Sequence, residues 1–270
     1  MRNPVLNWLF YGHGWIALAA AALAWQSTYL ATGDPGLHAA HLFVGCATLA
    51  VYTLHRLLSF RRAGGQPDGR RYRVVALHPG LSLGVGVVAL LASLALVFTF
   101  PLRAFWPVVF ALPFTCFYLI PLYPGGPRLR DLPFLKVVWV ALAWTFMTDL
   151  FPAFSVHARP VEPFLRFAFT LAVALLFDLR DVGLDRRQGV RTLAGAHPAL
   201  NRGLALGLLV ACALVSFARY PADAGAGLGV AYLAAVGIGV ATTADRGEDF
   251  FAVAVNGMLF LPPLGLLLFT

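Results

Sequence analysis

Nine apolar stretches run along the chain, at roughly 8–31, 36–60, 81–100, 104–121, 135–156, 161–179, 199–218, 225–243 and 249–269, separated by short segments that hold most of the charge. Each is close to the ~20 residues that an α-helix needs to cross ~30 Å of hydrocarbon. The pattern therefore predicts an all-α polytopic membrane protein. It is expected to be a bundle of nine transmembrane helices forming one domain over residues 1–270. The N-terminal Met-Arg-Asn-Pro leads into a full-length apolar segment without a small-residue cleavage site, so the first helix is expected to be retained rather than removed as a signal peptide.

Composition supports the bilayer as solvent. Hydrophobic residues make up 60% of the chain and charged residues 12%, with a mean hydropathy of +0.77. A water-soluble domain would not carry this balance.

Charge then orients the bundle. Arg2, Arg56, Arg61, Arg62, Arg70, Arg71, Arg73, Arg128, Arg130, Lys136, Arg180, Arg186, Arg187, Arg191, Arg202 and Arg246 fall on the N-terminal side of the expected membrane. Only Arg103, Arg159, Arg166 and Arg219 fall on the other. Because basic residues are retained on the cytoplasmic side, the N-terminus is expected in the cytoplasm and the C-terminus outside, in a cell inner (plasma) membrane. The net charge of +8 is thus a topology signal and a means of meeting anionic lipid or substrate, not a nucleic-acid signature. Cys46, Cys116 and Cys212 lie in apolar runs without paired or metal-ligand spacing, and are read as packing residues. The small residues Gly225, Gly227, Gly229, Gly237 and Gly239 are read as close helix contacts.

Against this background Asp178-Leu-Arg-Asp181-Val-Gly-Leu-Asp185-Arg-Arg stands out, directly after the apolar run that ends at Phe177. On a continuing helix, positions 178, 181 and 185 share one face, because they lie three and seven residues apart. Three like charges at the end of a membrane helix need something positive between them, and a hard divalent cation such as Mg2+, which takes oxygen ligands and bridges carboxylates to phosphate, suits the set. Long basic loops converge on the same end of the bundle, over an apolar interior. Such a layout takes an amphiphile with its charged head at the water boundary and its tail among the helices.

The segment Asp178 to Leu193 resembles the second aspartate-rich motif of the UbiA superfamily of intramembrane prenyltransferases. The stretches Tyr123-Pro124, Arg128-Leu-Arg130-Asp131 and Pro133-Phe-Leu-Lys136 resemble that family's segment between helices four and five. This resemblance implies a nine-helix UbiA-like fold and transfer of a prenyl group from a prenyl diphosphate to a lipophilic acceptor (aromatic, quinone-like or lipid), with Mg2+ as cofactor. It makes Asp178, Asp181 and Asp185 the metal-binding and catalytic carboxylates. Tyr123, Arg128, Arg130, Lys136 and Arg186 become candidate substrate contacts.

The family's first motif, Asn-Asp-x-x-Asp, has no counterpart. The corresponding stretch from Ala50 to Arg62 contains no carboxylate and offers His55 and Arg56 instead. Two readings follow. Arg56 and His55 bind phosphate oxygens directly, replacing one metal-bridged contact with charge-assisted hydrogen bonds; or the site binds an isoprenoid or lipid without catalysis. An intramembrane terpene cyclase, which needs no acceptor, is the alternative enzyme.

Other polar residues have plainer readings. Asp149 is taken as a charge near the outer end of helix five. His38 and His41 have a spacing that would suit metal but lack a third ligand. The cluster Asp245, Glu248 and Asp249 is read as a short acidic turn, with the option of supplying the missing carboxylates. His13, His78, His157 and His197 are read as interfacial.

Overall fold

A computed structural model describes residues 4–62, 70–118, 120–187 and 189–270; Arg2 lies outside them. Among the described residues the chain is all-helical, with no strand. Among the described residues six helices are long and apolar enough to cross a membrane: Ala39–Arg61, Pro79–Val97, Lys136–Ser155, Pro198–Arg219, Ala222–Ala241 and Glu248–Phe269. The other three expected spans depart from the simple pattern. The first divides into α1 (Pro4–Tyr11) and α2 (Gly14–Thr32). The fourth ends early, as α6 (Phe105–Cys116). The sixth runs 25 residues, on through the aspartate-rich motif to Arg187.

Numbered in order, the remaining helices are α3 (Ala39–Arg62), α4 (Arg70–Leu77), α5 (Pro79–Val97), α7 (Lys136–Thr145), α8 (Phe151–Ser155), α9 (Pro163–Arg187), α10 (Leu193–Ala196), α11 (Pro198–Arg219), α12 (Ala222–Ala241), α13 (Glu248–Phe250) and α14 (Leu261–Phe269). Proline opens α5, α9 and α11, where its missing N–H costs nothing. Gly33 closes α2 in the left-handed conformation, its N–H donating to the Tyr29 carbonyl. From α9 onward, α11 packs on α9, α12 on α11 and α14 on α12, and α14 returns to α2. Leucine and phenylalanine side chains on the outer faces, such as Leu91, Phe110, Leu214 and Leu268, are exposed. An apolar surface of this kind is what lipid covers.

The glycine-rich helix α12 meets α14 backbone to backbone. A Cβ on Gly227 would lie 2.4 Å from the Gly265 carbonyl oxygen, whereas one on Gly237 would meet nothing within 4 Å. Gly227→Ala is therefore expected to cost about 1–3 kcal/mol, the usual penalty of overpacking, and Gly237→Ala to be neutral. Thermal unfolding of the two variants in detergent checks this contrast.

A second structural feature lies at the end of the bundle away from the aspartate-rich motif. Helices α7 and α8 are joined by a π-helical turn, Phe146–Leu150, which carries Asp149. Pro152 has no N–H to return to the Thr148 carbonyl four residues back, and the Ser27 hydroxyl donates to that carbonyl instead, at 2.9 Å. Ser27 is also 2.9 Å from Asp149 Oδ1. Arg166, in the first turn of α9 and 1% exposed, donates to the Leu23 carbonyl, Ser27 Oγ and Glu162 Oε1. Gln26 and Tyr220 donate to the two Glu162 oxygens. Asp149 is thus a fully buried member of a network, not a helix-end charge. His38 and His41 also have ordinary partners: Asp34 for His38, and the Thr28 hydroxyl for His41.

Burial pushes the carboxyl of Glu162, in the connection before α9, up to about 7, with Arg166 opposing and the Asp149 charge adding to the shift. A group whose folded value is raised contributes stability that is complete below its unfolded value, near 4.5, and is lost as pH rises through the folded value. Wild-type Tm is therefore expected to fall between about pH 5 and pH 8, and Glu162→Gln to remove that slope. Parallel slopes for the two proteins would exclude Glu162 as its source.

Candidate functional site

At the opposite end, α9 carries Asp178, Asp181 and Asp185, and α7 begins with Lys136. An ammonium at the positive end of a helix dipole is unfavourable unless it is neutralised. Here Lys136 Nζ lies 2.8 Å from Asp178 Oδ1 and 2.6 Å from Asp185 Oδ2, with all three residues buried. Positions 178 and 185 therefore share a face as expected, and a lysine sits between them. Arg130 approaches Asp185 from the other side at 3.6 Å. Asp181 forms a two-pronged pair with its neighbour Arg180, at 2.9 and 3.0 Å, and the Arg180 guanidinium lies over the Phe177 ring.

The loop before α7 is fixed by its own ion pair. Arg128 donates to both Asp131 oxygens at 2.8 Å, and its backbone N–H donates to the same carboxylate. Burial alone would push the Asp131 carboxyl up, but these bonds from Arg128 outweigh it and hold the group below its ordinary value. This clasp presents Arg130, whose guanidinium packs over Tyr118. The Phe134 N–H donates to the Arg191 carbonyl and so ties this loop to the one after α9.

A cavity of about 210 Å³ opens beside these groups. Of the residues singled out in the sequence, Arg56, Lys136, Asp178 and Asp181 line it. His55 packs with its ring tilted against Tyr118 just outside, and Asp185 lies behind Lys136. Arg128 and Arg130 support the loop, Arg186 is exposed on α9, and the exposed Tyr123 covers Gly126. Sequence reasoning read His13 as interfacial, whereas it is buried in the cavity wall; it counted Arg180 only as a topology charge, left Glu248 as an option, and did not single out Tyr52, Tyr118 or Asn256, all of which line the cavity. His13 is buried at the break between α1 and α2 with φ +71°, and its ring packs near Tyr52. Such backbone strain in a non-glycine residue is characteristic of functional sites. Burial pushes the Tyr118 phenol up to about 12, with Lys136 and Arg130 opposing, so it keeps its O–H at neutral pH. The Tyr11 hydroxyl binds Asp249 and so fastens α1 across the mouth to α13.

A smaller apolar chamber of about 50 Å³, reaching Trp144, Val173 and Leu259, continues from the cavity. Polar head space and apolar tail space therefore adjoin. Among the described residues no three His, Cys, Asp or Glu side chains gather into a metal-binding group. Two carboxylates facing a cavity still suit Mg2+, which commonly takes one or two protein carboxylates and completes its shell with substrate phosphate and water. The donor set of Asp178 and Asp181 fits one such ion.

No family model matches the chain, nor does any curated protein. Among solved structures, a UbiA homolog from Archaeoglobus fulgidus bound to GPP and Mg2+ superposes with a TM-score of 0.68, covering 97% of this chain and 98% of that one at 14% identity. The chain has a UbiA-like fold and is a membrane protein.

Proposed function

We propose that this UbiA-like protein binds an isoprenyl diphosphate at the cytoplasmic end of its bundle and transfers the isoprenyl group to a lipophilic acceptor, within the plasma membrane. The observation that carries the reading is the cavity in which Arg56, Lys136 and Arg180 meet Asp178 and Asp181 at the entrance to an apolar chamber. The fold is shared with a protein bound to GPP and Mg2+.

In this reading Asp178 and Asp181 hold the Mg2+, which, when bound, neutralises charge growing on the departing diphosphate. The other tasks fall to side chains. Arg56, on the strand of sequence where a first motif would stand, offers its guanidinium fork directly to phosphate oxygens. Lys136 presents a positive charge whose position Asp178 and Asp185 set, and Asp181 sets that of Arg180. These preorganised cations stabilise the leaving group as the allylic C–O bond breaks and its electron pair departs with the diphosphate. The apolar chamber holds the isoprenyl tail and excludes water from the carbon centre until the acceptor's electron pair forms the new bond and a proton is released.

Purified protein with geranyl diphosphate, Mg2+ and phenolic or quinone acceptors tests the proposal: binding with pyrophosphate release is expected, and failure to bind removes it. Absence of carboxylates from Ala50 to Arg62 favours a second reading, isoprenoid binding without turnover, whose signature is binding without pyrophosphate release. Arg56→Met is expected to weaken geranyl diphosphate binding by about 10- to 100-fold, the loss of a charged hydrogen bond. Asp181→Asn should weaken only the Mg2+-dependent part of that binding. Titrations with and without EDTA separate the two effects.

A further inference from the structure

Six residues line both the polar cavity and the apolar chamber, and Tyr52 and Asn256 are the two polar ones among them. They stand where the head of one ligand gives way to its tail. A diphosphate does not account for the pair, because its oxygens accept hydrogen bonds and cannot satisfy an acceptor on Asn256. Asn256 directs its side-chain N–H2 to the Ala252 carbonyl, 3.3 Å away on its own helix. Its Oδ1 is buried and has no protein partner. On Tyr52 the hydroxyl oxygen accepts the Trp144 indole N–H at 3.2 Å, which leaves the O–H hydrogen to donate. One buried acceptor and one partly buried donor thus border the same narrow place. Asn256 also follows directly on a π-helical turn, Phe251–Val255, a device that re-aims side chains and recurs at functional sites.

We propose that Tyr52 and Asn256 form a recognition pair for a hydroxyl group on an otherwise apolar ligand, an alcohol or phenol rather than a quinone. A hydroxyl satisfies both: its oxygen accepts from Tyr52 and its hydrogen is donated to Asn256 Oδ1. A carbonyl or an ether satisfies Tyr52 but leaves Asn256 Oδ1 buried and unpaired, and sites with polar groups left unpaired in this way reject the wrong ligand strongly. Calling the hydroxyl compound the acceptor rests on the prenyl-transfer reading; the recognition itself does not.

The probes are 4-hexylphenol and its methyl ether, titrated into the detergent-solubilised full chain with quenching of tryptophan fluorescence as the signal. The ratio of their affinities is compared between wild type, Tyr52→Phe and Asn256→Leu, so that partition into detergent cancels. Tyr52→Phe removes one oxygen and conserves shape, and its affinities for the two probes keep the proposal testable even if Asn256→Leu does not fold. Asn256→Leu is expected to lower the phenol-to-ether ratio by about 5- to 50-fold, and Tyr52→Phe to weaken both probes with little change in the ratio, since the ether oxygen also uses that donor. A wild-type ratio in folded Asn256→Leu, or wild-type affinities for both probes in Tyr52→Phe, would overturn the proposal. Geranyl diphosphate binding is measured separately. If it fails while the phenol preference stands, the prenyl reading falls and the hydroxyl site remains; if it succeeds while the preference is absent, the hydroxyl site alone is lost.

Discussion

Lys136→Met is expected to destabilise the protein by about 3–5 kcal/mol, the cost of leaving buried charges without their partner. The ammonium touches both Asp178 and Asp185, and neither carboxylate is open to water. Without it, two like charges face each other in a buried place, and Arg130 at 3.6 Å reaches only one of them. Methionine has nearly the right length and shape, so packing is conserved and the loss reports the charge. Lys136→Arg is not expected to restore the wild-type value, because a planar fork cannot stand as a point between two carboxylates about two turns apart. Neutralising one carboxylate should help: Lys136→Met with Asp185→Asn is expected to be more stable than Lys136→Met alone, with a coupling of about 0.5–3 kcal/mol in a double-mutant cycle. Denaturant unfolding in mild detergent measures the four proteins of the cycle and Lys136→Arg. Strict additivity would mean that Lys136 and Asp185 do not interact.

That cation also marks what was legible in the sequence. The carboxylates at 178, 181 and 185 announced themselves as a charged group at the end of an apolar run, and their spacing alone fixed that 178 and 185 share a face. The need for something positive between them was equally legible. That Lys136, 49 residues earlier, reaches into that position was not, because periodicity describes one helix at a time. Asn256 left a signal that went unused: it is a lone amide in the apolar run 249–269, and intramembrane polar residues are functional by default. His13 left less, because its role depends on a break in the first helix that a continuous apolar pattern conceals. The helix pattern itself was readable because each apolar run must satisfy its own backbone hydrogen bonds in lipid. It was least readable where helices are interrupted by a π-helical turn or a left-handed residue, which is where Asp149, Asn256 and His13 stand.

Arg166→Met is expected to be the second severe substitution, again at about 3–5 kcal/mol, but with a pH dependence that Lys136→Met should not share in the same form. Among the described residues Arg166 is the buried cation of a network in which Asp149 and Glu162 are the carboxylates, with Tyr220, Tyr232 and Cys212 the other titratable groups near it and Arg219 beside Tyr220 at the surface. It draws the Leu23 carbonyl and Ser27 of α2 to the start of α9, and through Ser27 it reaches the π-helical turn. Counted along the sequence it was an outer-side charge at the start of the sixth apolar stretch; its partners on α2 lie 139 and 143 residues away. Removing the guanidinium takes away the influence that opposes the upward shift of the Glu162 carboxyl, so it is held higher still. A raised folded value means stability that is present at low pH and lost as pH rises through that value. The deficit of Arg166→Met relative to wild type should therefore be smallest near pH 5 and widen toward pH 8, and Glu162→Gln placed on top of it should recover part of the loss at the higher pH. The cluster lies at the far end of the bundle from the cavity, so the folded fraction of the variant is expected to bind geranyl diphosphate as wild type does. A deficit that stays constant with pH would show that the arginine contributes by packing and neutral hydrogen bonds, and that the Glu162 carboxyl is already uncharged in the native protein.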